Sequence, residues 1–205
     1  MGCKMIELNA QTIYYKPGQP ILEDICFNVR QGEIAALTGA SGIGKSTILK
    51  MIAGIHNGYQ GRVCTPKQSR IAFISQNNCL LPWKTVYENI ILLRKVKDSQ
   101  VDKSSAKALI NNLGLNGLEK QYPLFLSGGQ YQRTALGQAF YFEPDIILMD
   151  EPFSALDAET KKEIQDLFLN LQKQHNITTL FVTHNEEEAE YLGARIINLK
   201  KEEDL

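Results

Sequence analysis

Gly39-Ala-Ser-Gly-Ile-Gly-Lys-Ser46 constrains this chain more than any other stretch, because it fits the pattern G-x-x-x-x-G-K-[ST] at every fixed position. A backbone that wraps a polyphosphate with its N–H groups must bend tightly. Glycines 39, 42 and 44 allow positive φ and remove Cβ atoms that would collide with phosphate oxygens. The apolar segment Glu33–Leu37 reads as a strand feeding the loop. Ile48, Leu49 and Ile52 recur behind it at helical spacing, and Gly54 offers a stop. Strand, glycine loop and helix together form a cradle in which the helix aims its positive end at the anion. Lys45 is expected to reach the β and γ oxygens, and the Ser46 hydroxyl to ligate Mg²⁺.

Two further segments carry chemistry. Ile146-Ile-Leu-Met-Asp150-Glu151 is a buried strand ending in two carboxylates. Adjacent strand residues point in opposite directions, so Asp150 can hold Mg²⁺ through water while Glu151 faces an attacking water as general base. Leu126-Ser-Gly-Gly-Gln130 has the parts of an anion site: a capping hydroxyl at Ser127, two glycines and free helix N–H groups.

The rest of the chain alternates strand and helix around an all-helical stretch. Ile6–Asn9 and Ile21–Val29 read as strands joined by the turn-rich Tyr15–Pro20, and Arg62–Val63 and Ile71–Ile74 as two more. From Thr85 to Phe142 the pattern is helical. Thr85-Val-Tyr-Glu88 is a capping box before the apolar run Ile90–Leu93. Ala106, Leu109, Ile110 and Leu113 form a second helical stripe, and Ser127 caps a third helix running through Arg133 to Phe140. After Pro144 the strand Ile146–Met149, the amphipathic helix Glu159–Gln174, the strand Thr179–Val182, the helix Glu186–Leu192 and the strand Arg195–Leu199 restore the alternation. Glu186-Glu-Glu188 reads as the acidic first turn favoured by the helix dipole.

A formal net charge of −1 supplies no basic field for nucleic acid and no polybasic membrane anchor. Cys3, Cys26, Cys64 and Cys79 contain no C-x-x-C pair, so neither a zinc knuckle nor a redox motif is expected. No apolar run reaches the roughly 18 residues of a membrane span. The N-terminal residues match neither a signal peptide nor a myristoylation motif, so a cytoplasmic location is expected.

The glycine loop, Leu126–Gln130 and Ile146–Glu151 together resemble the ATP-binding cassette (ABC) family, over about Ile6 to Leu199. The resemblance implies an α/β fold: a P-loop NTPase (RecA-like) core with an N-terminal antiparallel β subdomain and an inserted α-helical subdomain. It implies one ABC ATPase domain over residues 1–205, in which 1–76 and 143–205 form the β subdomain and core and 77–142 the helices. It also implies a head-to-tail dimer with two ATP molecules at its interface. Tyr15 would stack on adenine, and Gly39, Ala40, Ser41, Gly42, Ile43, Gly44, Lys45, Ser46 and Thr47 would hold the phosphates. Ser127, Gly128, Gly129, Gln130 and the D-loop residue Asp157 would reach the ATP of the opposite subunit. Gln76 matches the Q-loop glutamine and His184 the switch histidine, so Glu151, His184 and Gln76 are the expected catalytic residues. Ser46, Gln76 and Asp150, the last through water, are the expected Mg²⁺ ligands.

Within the family, Gln76-Asn-Asn-Cys-Leu-Leu-Pro-Trp-Lys-Thr-Val-Tyr-Glu-Asn89 is similar to the Q-loop region of nitrate, sulfonate and taurine importer ATPases. The expected role is therefore ATP hydrolysis driving a membrane permease on the inner face of the cell membrane, with a solute-binding protein as indirect partner. An exporter ATPase is the competing expectation. A soluble non-transport ABC ATPase is disfavoured by the single cassette and the absence of a long coiled coil. A small-molecule kinase is disfavoured by the signature and the switch histidine. Arg133-Thr-Ala-Leu-Gly-Gln-Ala-Phe140 departs from the family's usual helix. Gly137 there is expected to cost about 1 kcal/mol relative to alanine, and Gln138 stands where arginine is familiar.

Overall fold

The computed structural model describes residues 4–16, 19–76, 80–99 and 101–199. They fall into two compact units. One comprises Met1–Phe73, Asp145–Glu151 and Asn176–Leu205, the other Ile74–Pro144 and Pro152–His175.

The first unit holds two sheets. β1 (Lys4–Lys16) pairs antiparallel with β2 (Gln19–Arg30) and with β4 (Tyr59–Cys64), giving the order β2-β1-β4. In β1, Ile6, Leu8 and Ala10 are buried while Glu7 and Asn9 face solvent, the period-two pattern of a half-covered sheet. Both hairpin strands run longer than their apolar pattern predicts: Lys16 pairs with Gln19, and residues 17–18 of the expected turn lie outside the described residues. The second sheet has the order β5-β6-β7-β3-β8, with β5 Ile71–Ile74, β6 Ile146–Asp150, β7 Thr178–Val182, β3 Ile34–Thr38 and β8 Arg195–Asn198. The pairings β6–β7, β7–β3 and β3–β8 are parallel. Every residue of β3, β6 and β7 is buried, as parallel strands covered on both faces require. α1 (Lys45–Ile52) packs on β6 and β7 through Ile48 and Leu49. β6, β7 and β3 are parallel neighbours, so the loops leaving their C-terminal ends come side by side.

The second unit is helical: α2 (Val86–Ile90), α3 (Leu92–Asp98), α4 (Lys103–Asn112), a short 3-10 turn at Pro123–Phe125, α5 (Gly128–Tyr141) and α6 (Ala158–His175). The expected capping box at Thr85 and Glu88 is present. The apolar run Ile90–Leu93 straddles two helices that meet at Ile91, whose φ of −80° and ψ of −9° stay right-handed, so the chain is not reversed there. Residues 152–175, which the linear reading assigns to the strand-bearing part, group here with the helices. Phe168 of α6 meets Phe140 edge-on at 6.1 Å, and Glu163 accepts from Arg133 at 2.7 Å.

Gly137 has a packing reason that helix propensity does not reveal. A Cβ at this position would stand 2.6 Å from Leu113 Cδ1 and 3.1 Å from Ile90 Cγ1, so α5 needs a bare backbone for α2 to approach. The next residue, Gln138, is 8% exposed and donates from Nε2 to the Asn89 carbonyl at 2.9 Å. Asn89, fully buried, holds the preceding loop: Oδ1 accepts from the Leu81 N–H at 2.8 Å, and Nδ2 donates to the carbonyls of Leu81, Lys84 and Thr85 at 3.1, 2.9 and 3.0 Å. The Tyr131 hydroxyl of α5 accepts from the Leu80 N–H at 3.1 Å. The helix after Ser127 is thereby fixed to the loop bearing Trp83, which is 69% exposed.

Candidate active site

The three strand ends of the first unit build one site. β3 ends at Thr38, and the chain turns through Gly39 (φ 138°), Gly42 (φ 75°) and Gly44 (φ 111°) into α1. Gly44 is the N-cap and makes no side-chain cap bond, so the first-turn N–H groups of α1 are left for a ligand. A Cβ on Gly39 would press against the Leu199 carbonyl at 2.6 Å, and one on Gly44 would touch Ile21 and Leu22 at 3.0 Å. Positive φ and lack of room both require glycine at these two positions. Ala40, Ser41 and Gly42 are exposed, and Thr47 is half-buried. Ile43 buries its side chain in the core, so only its backbone can face a ligand.

Lys45 is buried and donates from Nζ to the Gly39 carbonyl at 2.8 Å and the Ala40 carbonyl at 2.9 Å. The ammonium is thus folded onto the loop it would serve. The Ser46 hydroxyl donates to Asp150 Oδ1 at 2.8 Å. Burial pushes the Asp150 carboxyl above its ordinary range, and the neighbouring Glu151 charge adds to this. The Ser46 bond and the charges of Lys50 and Lys45 oppose it. A hydroxyl and a carboxylate oxygen in contact suit a hard cation such as Mg²⁺, which takes one or two protein oxygens and leaves its other positions to phosphate and water. Among the described residues no cluster of three His, Cys, Asp or Glu groups forms a self-contained metal cage.

Glu151 follows β6 with φ 47°, a conformation few non-glycine residues adopt. Its N–H donates to the Val182 carbonyl at 3.1 Å, which ties the carboxylate to the end of β7. Two residues beyond Val182 stands His184, its Nδ1 3.7 Å from Glu151 Oε1. The site therefore gathers Lys45, Ser46, Asp150, Glu151 and His184 from three neighbouring strand ends. Tyr15 is the penultimate residue of β1, and its side chain lies outside the described residues. Asn77, Asn78 and Cys79, which continue the Q-loop, also lie outside them.

The remaining expected residues belong to the second unit. Gln76 is exposed and lies two residues beyond β5. Ser127 caps α5 in a reciprocal box: its hydroxyl accepts from the Gln130 N–H at 3.3 Å, and Gln130 Oε1 accepts from the Ser127 N–H at 3.0 Å. Gln130 thus has a local task in the cap of its own helix. Ser127 and Gly128 are exposed and Gly129 is half-buried. A Cβ on Gly129 would stand 2.7 Å from Thr160 Cγ2, so this glycine also lets α6 approach. Exposed Asp157 accepts from the Thr160 N–H at 3.0 Å, and that bond holds its carboxyl below the ordinary range.

Sequence reasoning missed the setting of His184. Glu186 and Glu187 are exposed, as the acidic first turn of α7 (Glu186–Tyr191) requires, but Glu188 turns inward. Only the helical spacing of Glu188 beside Ala189 and Leu192, both buried, hints at this.

The sequence-family model for ABC transporters matches residues 22–154. The aliphatic sulfonates import ATP-binding protein SsuB 2 of Pseudomonas syringae pv. tomato DC3000 is 42% identical over 180 residues, covering 88% of this chain and 76% of that one. The aliphatic sulfonates import ATP-binding protein SsuB of Bacillus subtilis 168 is 42% identical over 186 residues, covering 88% and 72%. Among solved structures, a dimeric ATP-binding cassette in a post-hydrolysis state with ADP and Pi superposes with a TM-score of 0.83 at 30% identity, over 96% of this chain and 94% of that one. Among the described residues no helix is long and apolar enough to cross a membrane. With a phosphate-binding loop, a hydroxyl–carboxylate pair and a carboxylate beside an imidazole joined on one sheet, the chain belongs to the ABC transporter family as an ATP-binding, ATP-hydrolysing subunit.

Proposed function

We propose that this subunit hydrolyses Mg·ATP at the interface of a head-to-tail homodimer and drives a membrane permease that imports a small solute of the sulfonate type. The observation that carries the catalytic reading is Glu151 held beside His184, 3.7 Å apart, at the strand ends that also carry Lys45, Ser46 and Asp150. The import reading is supported by relatives at 42% identity that are named as aliphatic sulfonate import ATP-binding proteins.

The loop N–H groups and the α1 N-terminus bind the phosphates. Lys45 exchanges its two loop carbonyls for β and γ oxygens. Ser46 and Asp150, with Gln76, would hold Mg²⁺, which supplies charge neutralisation to the phosphates when bound. Glu151 takes a proton from the water that attacks the γ-phosphorus, and His184 orients the γ-phosphate. The water oxygen–phosphorus bond forms as the bridging oxygen leaves with ADP. Tyr15 stacks on adenine. Ser127, Gly128, Gly129, Gln130 and Asp157 complete the site of the opposite subunit. A cytoplasmic helix of the permease docks on the Trp83 loop, which places the subunit on the inner face of the membrane. A solute-binding protein delivers the solute to the permease.

Glu151→Gln is expected to keep ATP binding and slow turnover by at least ~10². Lys45→Ala is expected to weaken ATP binding itself. Equilibrium ATP binding and phosphate release measure the two separately. Wild-type turnover in Glu151→Gln removes Glu151 as the base. Uptake of a labelled alkanesulfonate by vesicles containing the subunit and its permease tests the direction and the solute.

A further inference from the structure

We propose that Glu188 is a positioning residue for His184, acting through the hydroxyl of Thr183. The proposal rests on the assignment of His184 to the γ-phosphate. The His184 side chain is 66% exposed, so packing does not hold the ring, and its location depends on the backbone on either side. That backbone is fixed by polar bonds. The Thr183 N–H donates to the Leu37 carbonyl of β3 at 3.3 Å. Thr183 is 1% exposed, and its Oγ1 accepts from the Asn185 N–H at 3.0 Å. Asn185 Oδ1 in turn accepts from the Glu187 N–H at 2.8 Å and caps α7. The residues before and after His184 are both held, while the imidazole is left to face Glu151.

The Thr183 hydroxyl has one proton and two acceptors in reach: Glu188 Oε2 at 2.7 Å and the Asn185 carbonyl at 3.4 Å. The shorter, charge-assisted bond to the carboxylate takes the proton. That choice keeps an Oγ1 lone pair on the Asn185 N–H and the turn open. Without the carboxylate, the proton is left the 3.4 Å contact to the Asn185 carbonyl, and the segment around His184 loses the tie to α7 that Glu188 provides. Glu188 is 7% exposed. Burying a carboxylate is costly unless it is bonded, so its inward placement on a six-residue helix needs a bonding reason. The Thr183 hydroxyl supplies one.

The test measures ATP binding and steady-state hydrolysis for Glu188→Ala and Glu188→Gln in the full chain, each alone and combined with His184→Ala. Glutamine keeps an acceptor for Thr183 and alanine does not. The expected result is a kcat lowered about 10-fold to 10²-fold in Glu188→Ala, the scale for a displaced catalytic group. Unchanged ATP affinity, near-native kcat in Glu188→Gln and no further loss when Glu188→Ala is added to His184→Ala complete the expectation. A loss that multiplies with that of His184→Ala overturns positioning, as does a Glu188→Gln variant as impaired as Glu188→Ala. Native turnover in His184→Ala alone overturns the γ-phosphate assignment and this proposal with it. If Glu188→Ala does not fold, the pair Thr183→Ser and Thr183→Val carries the test, serine retaining the hydroxyl and turnover and valine losing both. Equal kcat in that pair overturns the proposal.

Discussion

Replacing Gly137 by alanine sets two effects of opposite sign against each other. Propensity alone makes the alanine variant more stable by about 1 kcal/mol, because glycine is a poor helix former. Packing opposes this. The new methyl would lie 2.6 Å from Leu113 Cδ1 and 3.1 and 3.2 Å from Ile90 Cγ1 and Cδ1, and both neighbours are fully buried. Neither can swing into solvent, so the strain falls on α5 and α2. Overpacking of this kind costs about 1–3 kcal/mol. Net destabilisation of about 1 kcal/mol is expected. Trp83, the only tryptophan of the chain, sits on the loop that Asn89 anchors beside this contact, so its fluorescence during urea unfolding reports the second unit. With a urea slope of about 1–3 kcal/mol per molar, the midpoint should fall by about 0.3–1 M. Leu113→Val, which removes the colliding Cδ1, should make the alanine substitution less harmful than in the native background. A midpoint that rises in Gly137→Ala, or strict additivity with Leu113→Val, refutes the packing argument.

Asn89→Asp replaces an amide that donates to three carbonyls by a carboxylate facing those same carbonyls. It should destabilise the second unit by about 2–4 kcal/mol. Because that environment raises the new carboxyl's pKa, the loss should be full above the raised value and relieved as pH falls through it, measured by urea midpoints across pH. Asp150→Asn removes a carboxyl that burial raises above its ordinary range, while an oxygen remains for Ser46. Ionising Asp150 costs folded-state stability above that raised pKa. The ligand-free variant should therefore melt a few degrees higher near pH 7, and the gain should fade as pH approaches ~4. The same variant should lose the extra thermal stabilisation that Mg²⁺ adds to nucleotide binding.

The glycine loop was readable because its requirements are local: a bend around phosphate needs glycine, and a helix follows at once. The strands at Ile146 and Thr179 were readable from their apolar runs, and the Thr85–Glu88 box from two residues at fixed spacing. The reason for Gly137 was not readable, since the atoms that exclude a side chain there come from Leu113 and Ile90, distant in sequence. Glu188 was hidden in an acidic run, because whether a carboxylate faces solvent or a hydroxyl depends on what lies beneath its helix.

Residue types and spacings thus established which groups could bind phosphate, accept a proton and cap a helix, since those tasks depend on side-chain chemistry and short-range backbone geometry. That Ser46 meets Asp150 across 104 residues, and that Glu151 faces His184, followed from the strand order β6-β7-β3. Local patterns fix which face of a strand is buried, but which strands become neighbours is settled by packing along the whole chain, and that order brings their carboxyl-terminal ends together.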